Sequence, residues 1–183
     1  MPPFPTELDL TSDGFRLRRL VARDAPALAR LREDEETIRW TNAPSGTVAD
    51  AEEAIAAAGR MWADGEAAEL AIVSLDDETK LLGGIDLRFY GVARASIGYS
   101  LAPDARGQGI ATRALRLLSE WAFATFDELV RLELWILPGN EASFRVAERA
   151  GFQREGVLRS RLAVLGEFRD VVSYSLLRTD SRP

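Results

Sequence analysis

The apolar positions along the chain change period several times, and each change marks an element. Phe15 to Leu20 alternates Phe15 and Leu17 against Arg16 and Arg18, the period of a strand with one buried face. Thr6 to Leu10 offers it a short antiparallel partner across Ser12-Asp13-Gly14, and Met1 to Pro5, rich in proline, reads as a loose arm. From Asp24, a suitable N-cap with Pro26 in the first turn, the spacing moves to three and four. Leu28, Leu31 and Ile38 predict one amphipathic helix with Glu33, Asp34, Glu35 and Glu36 on its polar side. Trp40 and Asn42, in the segment Ile38 to Pro44, fit either a core or a pocket wall.

Thr47 caps a second helix, from Val48 to Trp62, which Asp64-Gly65 ends. Leu70 to Leu75 and Lys80 to Phe89 read as strands joined by the acidic turn Asp76-Asp77-Glu78. Gly83-Gly84 inside the second strand predicts a bulge or a close backbone approach. Ser96 to Leu101 pairs back as a third antiparallel strand. A helix from Ile110 to Ala124 follows, with Ala111, Ala114, Leu115, Leu118, Trp121 and Ala122 as its buried stripe. Arg131 to Leu137 is a strand reached by a right-handed crossover, hence parallel to its neighbour. Asn140 caps a short helix that stops at Gly151, and Phe152 to Val164 with Phe168 to Leu177 makes a final hairpin. The order predicts an α+β domain with a mixed, mostly antiparallel sheet of about seven strands and about four helices. Residues 1–13 are expected as an arm or short strand, 14–178 as a single domain and 179–183 as a tail.

Composition narrows the chemistry. The chain has 183 residues, 46% apolar and 28% charged, which suits one soluble domain. No apolar run approaches membrane-spanning length and no signal-peptide pattern opens the chain, so the cytoplasm is expected and a membrane partner is not. A net charge of −6 argues against a nucleic-acid partner. With no Cys and no His there is no thiolate nucleophile, no enzyme thioester and no imidazole base, and no metal site is predicted. Acid–base work falls to carboxylates, Tyr, Ser, backbone or ordered water.

Residues 95 to 113 hold the most informative stretch. Ile97 to Leu101 ends at Pro103-Asp104, a loop with Gly107 and Gly109 follows, and then the helix begins. The first turn of a helix has N–H groups without internal partners and a positive dipole end. Glycines let a ligand approach that turn, so main chain alone can bind a phosphate or diphosphate, and Arg106 could add a fixed charge. A Walker A run is absent, since the only lysine is Lys80. A dinucleotide fingerprint from Gly107 fails at Thr112, and Glu133 falls in mid-strand where a ribose ligand should close it, so a dinucleotide oxidoreductase is disfavoured.

Arg106-x-x-Gly109-x-Ala111 resembles the Q/R-x-x-G-x-G/A signature of the GNAT superfamily of N-acetyltransferases. Gly98-Tyr99-Ser100-Leu101 through Gly107-Gln108-Gly109-Ile110-Ala111-Thr112 fits the pattern too. So do Asn140-Glu141-Ala142-Ser143 and Ala147-Glu148-Arg149-Ala150-Gly151-Phe152, and together they resemble the Rim-type branch. The resemblance implies a GNAT-like fold in which the strands ending at Leu101 and Leu137 splay apart to admit acetyl-CoA, its pantetheine running as an added strand. It implies cofactor contacts from Tyr99, Ser100, Leu101, Arg106, Gly107, Gln108, Gly109, Ile110, Ala111, Thr112 and Asn140, with the Leu101 N–H serving the thioester carbonyl. Asn140 reads both as a helix N-cap and as a pantetheine contact. Ser143 reads either as a capping-box partner of Asn140 or, by the resemblance, as the hydrogen-bond donor to the departing CoA sulfur.

The chain departs from the common family pattern. Ala147 stands where many members carry a Tyr acid, and Trp135 where some carry a Glu base. Glu133 is the first candidate for the base, unless an Arg pairs with it, and Asp86 the second. A chain of ordered water would do without either. The expected acceptor is a primary amine on a protein N-terminus or a small molecule; the acidic run after Leu31 reads first as a solvated helix face and only second as a lip that attracts an amine. The oligomeric state stays open, a homodimer included. The alternative is a non-catalytic acyl-CoA binding or sensing module on the same fold.

Overall fold

The computed structural model describes residues 4–6, 8–41, 46–164 and 166–181. Eight strands form one sheet in the order β1-β2-β3-β4-β5-β6-β8-β7. They are β1 (Asp9–Ser12), β2 (Phe15–Arg19), β3 (Ala67–Ser74), β4 (Leu81–Phe89), β5 (Arg94–Leu101), β6 (Arg131–Ile136), β7 (Gln153–Val164) and β8 (Glu167–Leu177). Every pairing is antiparallel except β5 with β6, the strands on either side of the predicted crossover. The helices are α1 (Ala25–Glu33), α2 (Glu35–Trp40), α3 (Val48–Ala63), α4 (Ile110–Thr125) and α5 (Glu141–Arg149). Strand alternation divides the core. Leu70 and Ile72 of β3 join the cluster around Leu115 and Leu118 of α4, while Ala71 and Val73 join Leu28 and Leu31 of α1.

Three local expectations are corrected. The single helix predicted after Asp24 is two helices. Asp34 is extended (φ −67°, ψ 129°), and its carboxylate accepts from Thr37 N–H at 2.9 Å, which caps a new helix where periodicity alone continues the old one. Asp24 itself does not cap: its carboxylate is 3% exposed and takes two bonds from Arg18, at 2.7 and 2.9 Å. Phe4, in the stretch expected to be loose, is buried and stacks on Trp62 at 4.8 Å, with Phe126 edge-on at 5.4 Å. Asn42 lies outside the described residues.

The glycine pair in β4 serves both predicted purposes. The register slips from Ile72–Gly83 to Val73–Leu81, a bulge at Leu82, and a Cβ on Gly83 would lie 2.2 Å from the Ser100 carbonyl. Backbone is the obstacle there, so relief needs the sheet to move. Gly83→Ala is therefore expected to destabilise by about 3 kcal/mol, roughly 6–12 °C in Tm. Gly84→Ala meets only the Leu70 carbonyl, at 3.7 Å, and should melt near the wild type. Equal melting of both variants in calorimetry would contradict the close approach.

The sheet opens at its one parallel seam. β5 and β6 pair only at Arg94–Arg131, Ala95–Leu132 and Ser96–Glu133. Beyond these the strands part, leaving Ile97–Leu101 and Leu134–Ile136 without one another. This is the expected splay, and it places the ends of both strands on the two sides of a V.

Candidate active site

The floor of the V is main chain. Ala102 N–H donates to the Leu82 carbonyl of β4 at 2.9 Å. Successive residues of a strand alternate their hydrogen-bonding edge, so the N–H groups of Leu101 and Tyr99 face the opposite edge, into the V. At the end of β5 the chain turns through Gly107 (φ 75°) and Gly109 (φ 73°), both left-handed, and starts α4. Gly109 is the N-cap residue and brings no side-chain bond, so the first-turn N–H groups from Ile110 onward stay open to the cleft. No atom lies within 4 Å of a Cβ built on Gly107. Unsatisfied donors, a dipole end and open space fit a diphosphate.

Two cavities share the V. One, of about 290 Å³, is lined by Arg106, Gly107, Gly109 to Thr112, Leu101 and the α5 residues Ala142, Arg145, Val146 and Arg149. The other, of about 560 Å³, lies over β3, β4 and β5 and includes Glu69, Gly84, Asp86, Arg88, Gly98 and Trp135. They meet at Tyr99, Ser100, Asn140 and Ser143, with Trp40 of α2 also common to both.

Asn140 Oδ1 accepts from Ser143 N–H at 3.1 Å and so caps α5. Among the described residues no bond returns from the Ser143 hydroxyl, so the reciprocal half of a capping box is missing, and Ser143 lines the junction. Tyr99 donates a long bond to the Ser143 carbonyl at 3.5 Å, and burial pushes its phenol up to about 12, so it is neutral and a donor. Ala147 is fully buried, and Trp135 is an aromatic wall, 5.3 Å from Tyr90 and beneath Arg161. Neither can move a proton.

Of the expected site residues, Glu133 meets the arginine that was its alternative, and the side chains of Arg106 and Gln108 are engaged within the protein. Glu133 is not in either cavity; Arg131, two residues earlier on the same strand face, holds its carboxylate at 2.6 Å. Asp86, the second candidate, faces the larger cavity. Its carboxyl is pushed up to about 7, first by burial and further by the charge of Glu69, against the pull of Arg88. Its signal in the sequence is a lone carboxylate between Ile85 and Leu87. Arg106 lines the smaller cavity, but its guanidinium pairs with Asp34 and its Nε donates to the Leu101 carbonyl at 3.1 Å, tying the start of α2 to the end of β5. Gln108 turns its amide back onto the Asp104 carbonyl at 2.6 Å. Missed altogether were Arg145 and Arg149. They sit four apart on α5, a spacing that puts both on one face, and their guanidinium groups have no acidic partner among the described residues.

This geometry has counterparts. Residues 15–153 match the acetyltransferase (GNAT) domain family. The chain is 28% identical to the uncharacterized N-acetyltransferase p20 of Bacillus licheniformis over 173 residues, 93% of this chain and 97% of that protein. It is 29% identical over 85 residues to the spermidine N(1)-acetyltransferase of Escherichia coli strain K12, 46% of this chain and 45% of that one. The structure of Mycobacterium smegmatis RimJ in complex with CoA-disulfide superposes with a TM-score of 0.79 at 25% identity, covering 94% of this chain and 87% of that one. A splayed parallel seam, a glycine turn at a helix N-terminus and a family match over most of the length agree: the chain belongs to the GNAT acetyltransferases, which draw their acetyl group from acetyl-CoA, and proteins of the Rim type are among those it is similar to.

Proposed function

We propose that the chain transfers the acetyl group of acetyl-CoA directly to a primary amine, on a protein N-terminus or a small molecule, within a ternary complex. One observation carries this reading: the two cavities meet at Tyr99, Ser100, Asn140 and Ser143. One has the features of a phosphate site and the other a carboxylate at its floor, so an acyl carbon at the junction would face an amine lying over Asp86.

In this reading the main chain from Gly107 to Thr112 holds the diphosphate. Arg145 and Arg149 supply the charge that Arg106 directs to Asp34. The free edge of β5 carries the pantetheine, and the Leu101 N–H receives the developing oxyanion. Asp86 takes the proton from the ammonium, directly or through water, and the nitrogen lone pair then attacks the acetyl carbon. The C–S bond breaks, the sulfur leaves as thiolate hydrogen-bonded by the Ser143 hydroxyl at the positive end of α5, where Asn140 fixes the turn, and the second proton of the attacking nitrogen passes to that sulfur, leaving a neutral amide and CoA thiol.

Ser143→Ala tests this arrangement. It removes one hydroxyl while the cap, made by the Ser143 main chain, remains. The expected result is a kcat lower by about 10- to 100-fold with acetyl-CoA affinity unchanged. Thiol release reads the reaction cleanly, because the chain has no Cys. An unchanged kcat takes Ser143 out of the chemistry. A wild-type protein that binds acetyl-CoA yet releases no thiol with any amine supports the binding-module reading instead.

A further inference from the structure

The larger cavity holds a charge that amine acetylation does not use. Arg32, on α1, lines it and is half-buried. Arg88 in the same cavity pairs with Glu69 and lies 3.5 Å from Asp86, and Arg106 next door pairs with Asp34. Arg32 meets no carboxylate and no hydrogen-bond acceptor among the described residues. A guanidinium that lines a cavity and has no counter-charge keeps its forked donors free for an anionic group. The unpaired arginines of the cofactor cavity, Arg145 and Arg149, have an obvious explanation in phosphate. Arg32 has no such explanation in acetyl-CoA, since it lines only the other cavity.

The surroundings of Arg32 describe what would meet it. Glu69 is neutralised by Arg88, which leaves Asp86 as the cavity's negative group and Arg32 as its positive one. The same cavity is lined by Trp40, Trp135 and Leu162, which share an apolar cluster with Leu137, Val164 and Val171. The indole faces are covered by cations: Arg161 lies 3.9 Å from the Trp135 ring and Arg39 4.6 Å from that of Trp40.

We propose that Arg32 is an anion-binding residue of the acceptor site, so that the acceptor is an amine that also carries an anionic group, joined through an apolar or aromatic scaffold. This rests on the acetyl-transfer reading above and adds a selectivity to it. Two sources share that chemistry: a free amino acid offering its own carboxylate, and a peptide N-terminus followed by acidic side chains. A polyamine is the wrong complement, because each further ammonium needs a carboxylate and Glu69 is already taken.

The test is a steady-state acceptor panel with wild type and Arg32→Glu: free phenylalanine, phenethylamine, a peptide with Asp at its second and third positions, the same peptide with Lys there, and spermidine. Wild type is expected to favour the anionic member of a matched pair by about 10- to 100-fold in kcat/KM, and Arg32→Glu to invert that preference through KM. Phenylalanine over phenethylamine assigns the carboxylate source to a free amino acid, and the Asp over the Lys peptide assigns it to a side chain. Unchanged acetyl-CoA affinity and Tm in the variant show that the fold and the cofactor cavity are intact. A preference for spermidine, or a preference that Arg32→Glu leaves alone, overturns the proposal while the transfer chemistry stands. A protein that acetylates nothing overturns both.

Discussion

Asp86→Asn is expected to lower kcat/KM near neutral pH by about 10²- to 10⁴-fold while leaving acetyl-CoA affinity unchanged. An amine nucleophile must lose a proton before it attacks, and the chain has no His to take it. Asp86 lies on the floor of the larger cavity, across from Glu69 on one neighbouring strand and Gly98 on the other. A Cβ on Gly98 would lie 2.7 Å from the Asp86 carboxylate, so the glycine makes the room the carboxylate occupies. Burial is the main reason its carboxyl rises from 3.8 to about 7, the range in which a group can both accept and release a proton at cellular pH. The wild-type rate should thus rise through pH values near 7 as Asp86 ionises, and that limb should vanish in the Asn variant.

Stability should move the other way. The folded-state value lies above the unfolded one, so between 3.8 and about 7 the folded chain binds more protons than the unfolded chain. Wild type therefore loses stability as pH rises through that window. An Asn, which has no charge to bury, does not. Above pH 7 the variant is expected to melt a few degrees higher than wild type while turning over far more slowly. A residue with a merely structural role would lose stability on substitution. A variant with wild-type kcat and an unmoved pH limb would remove Asp86 from the reaction.

What the sequence made legible was local. The strand, glycine turn and helix between Ile97 and Thr125 could be read because the period change, the two glycines and the buried stripe of α4 all lie within one stretch of chain. Asn140 as a cap was readable for the same reason. What escaped reading depends on partners distant in the chain. Arg106 looked free to meet a phosphate; nothing near it in sequence announces Asp34, which takes its guanidinium. Glu133 and Asp86 looked alike, each a carboxylate in a strand. The difference is register, which puts Asp86 over the open cavity and Glu133 at the closed end of the V, beside Arg131. The break at Asp34 failed for a different reason. Helical periodicity runs through it unbroken, and only the cap on Thr37 separates two helices from one.

The second large effect concerns the cofactor. Gly109→Val is expected to weaken acetyl-CoA binding by about 30-fold or more, measured by calorimetry, with a smaller loss of stability. Gly109 holds φ 73° at the start of α4. An L-residue there costs about 1–2 kcal/mol, and a β-branched one more. Space is not the obstacle: the nearest atom to a new Cβ is Arg113 Nη1 at 3.2 Å, the far end of a flexible side chain. The strain can be relieved only by rotating the peptides on either side, and that rotation turns the first N–H groups of α4 away from the cleft. The helix beyond stays in place, because Ala114, Leu115 and Leu118 are fully buried. The damage is thereby confined to the main-chain donors that the diphosphate would need. Gly109→Asn separates the backbone angle from the side chain, since Asn enters the left-handed region far more readily than Val. Asn is expected to keep affinity within a few-fold of wild type while Val does not. If Val binds as well as Gly, the donors at the start of α4 are not what holds the coenzyme.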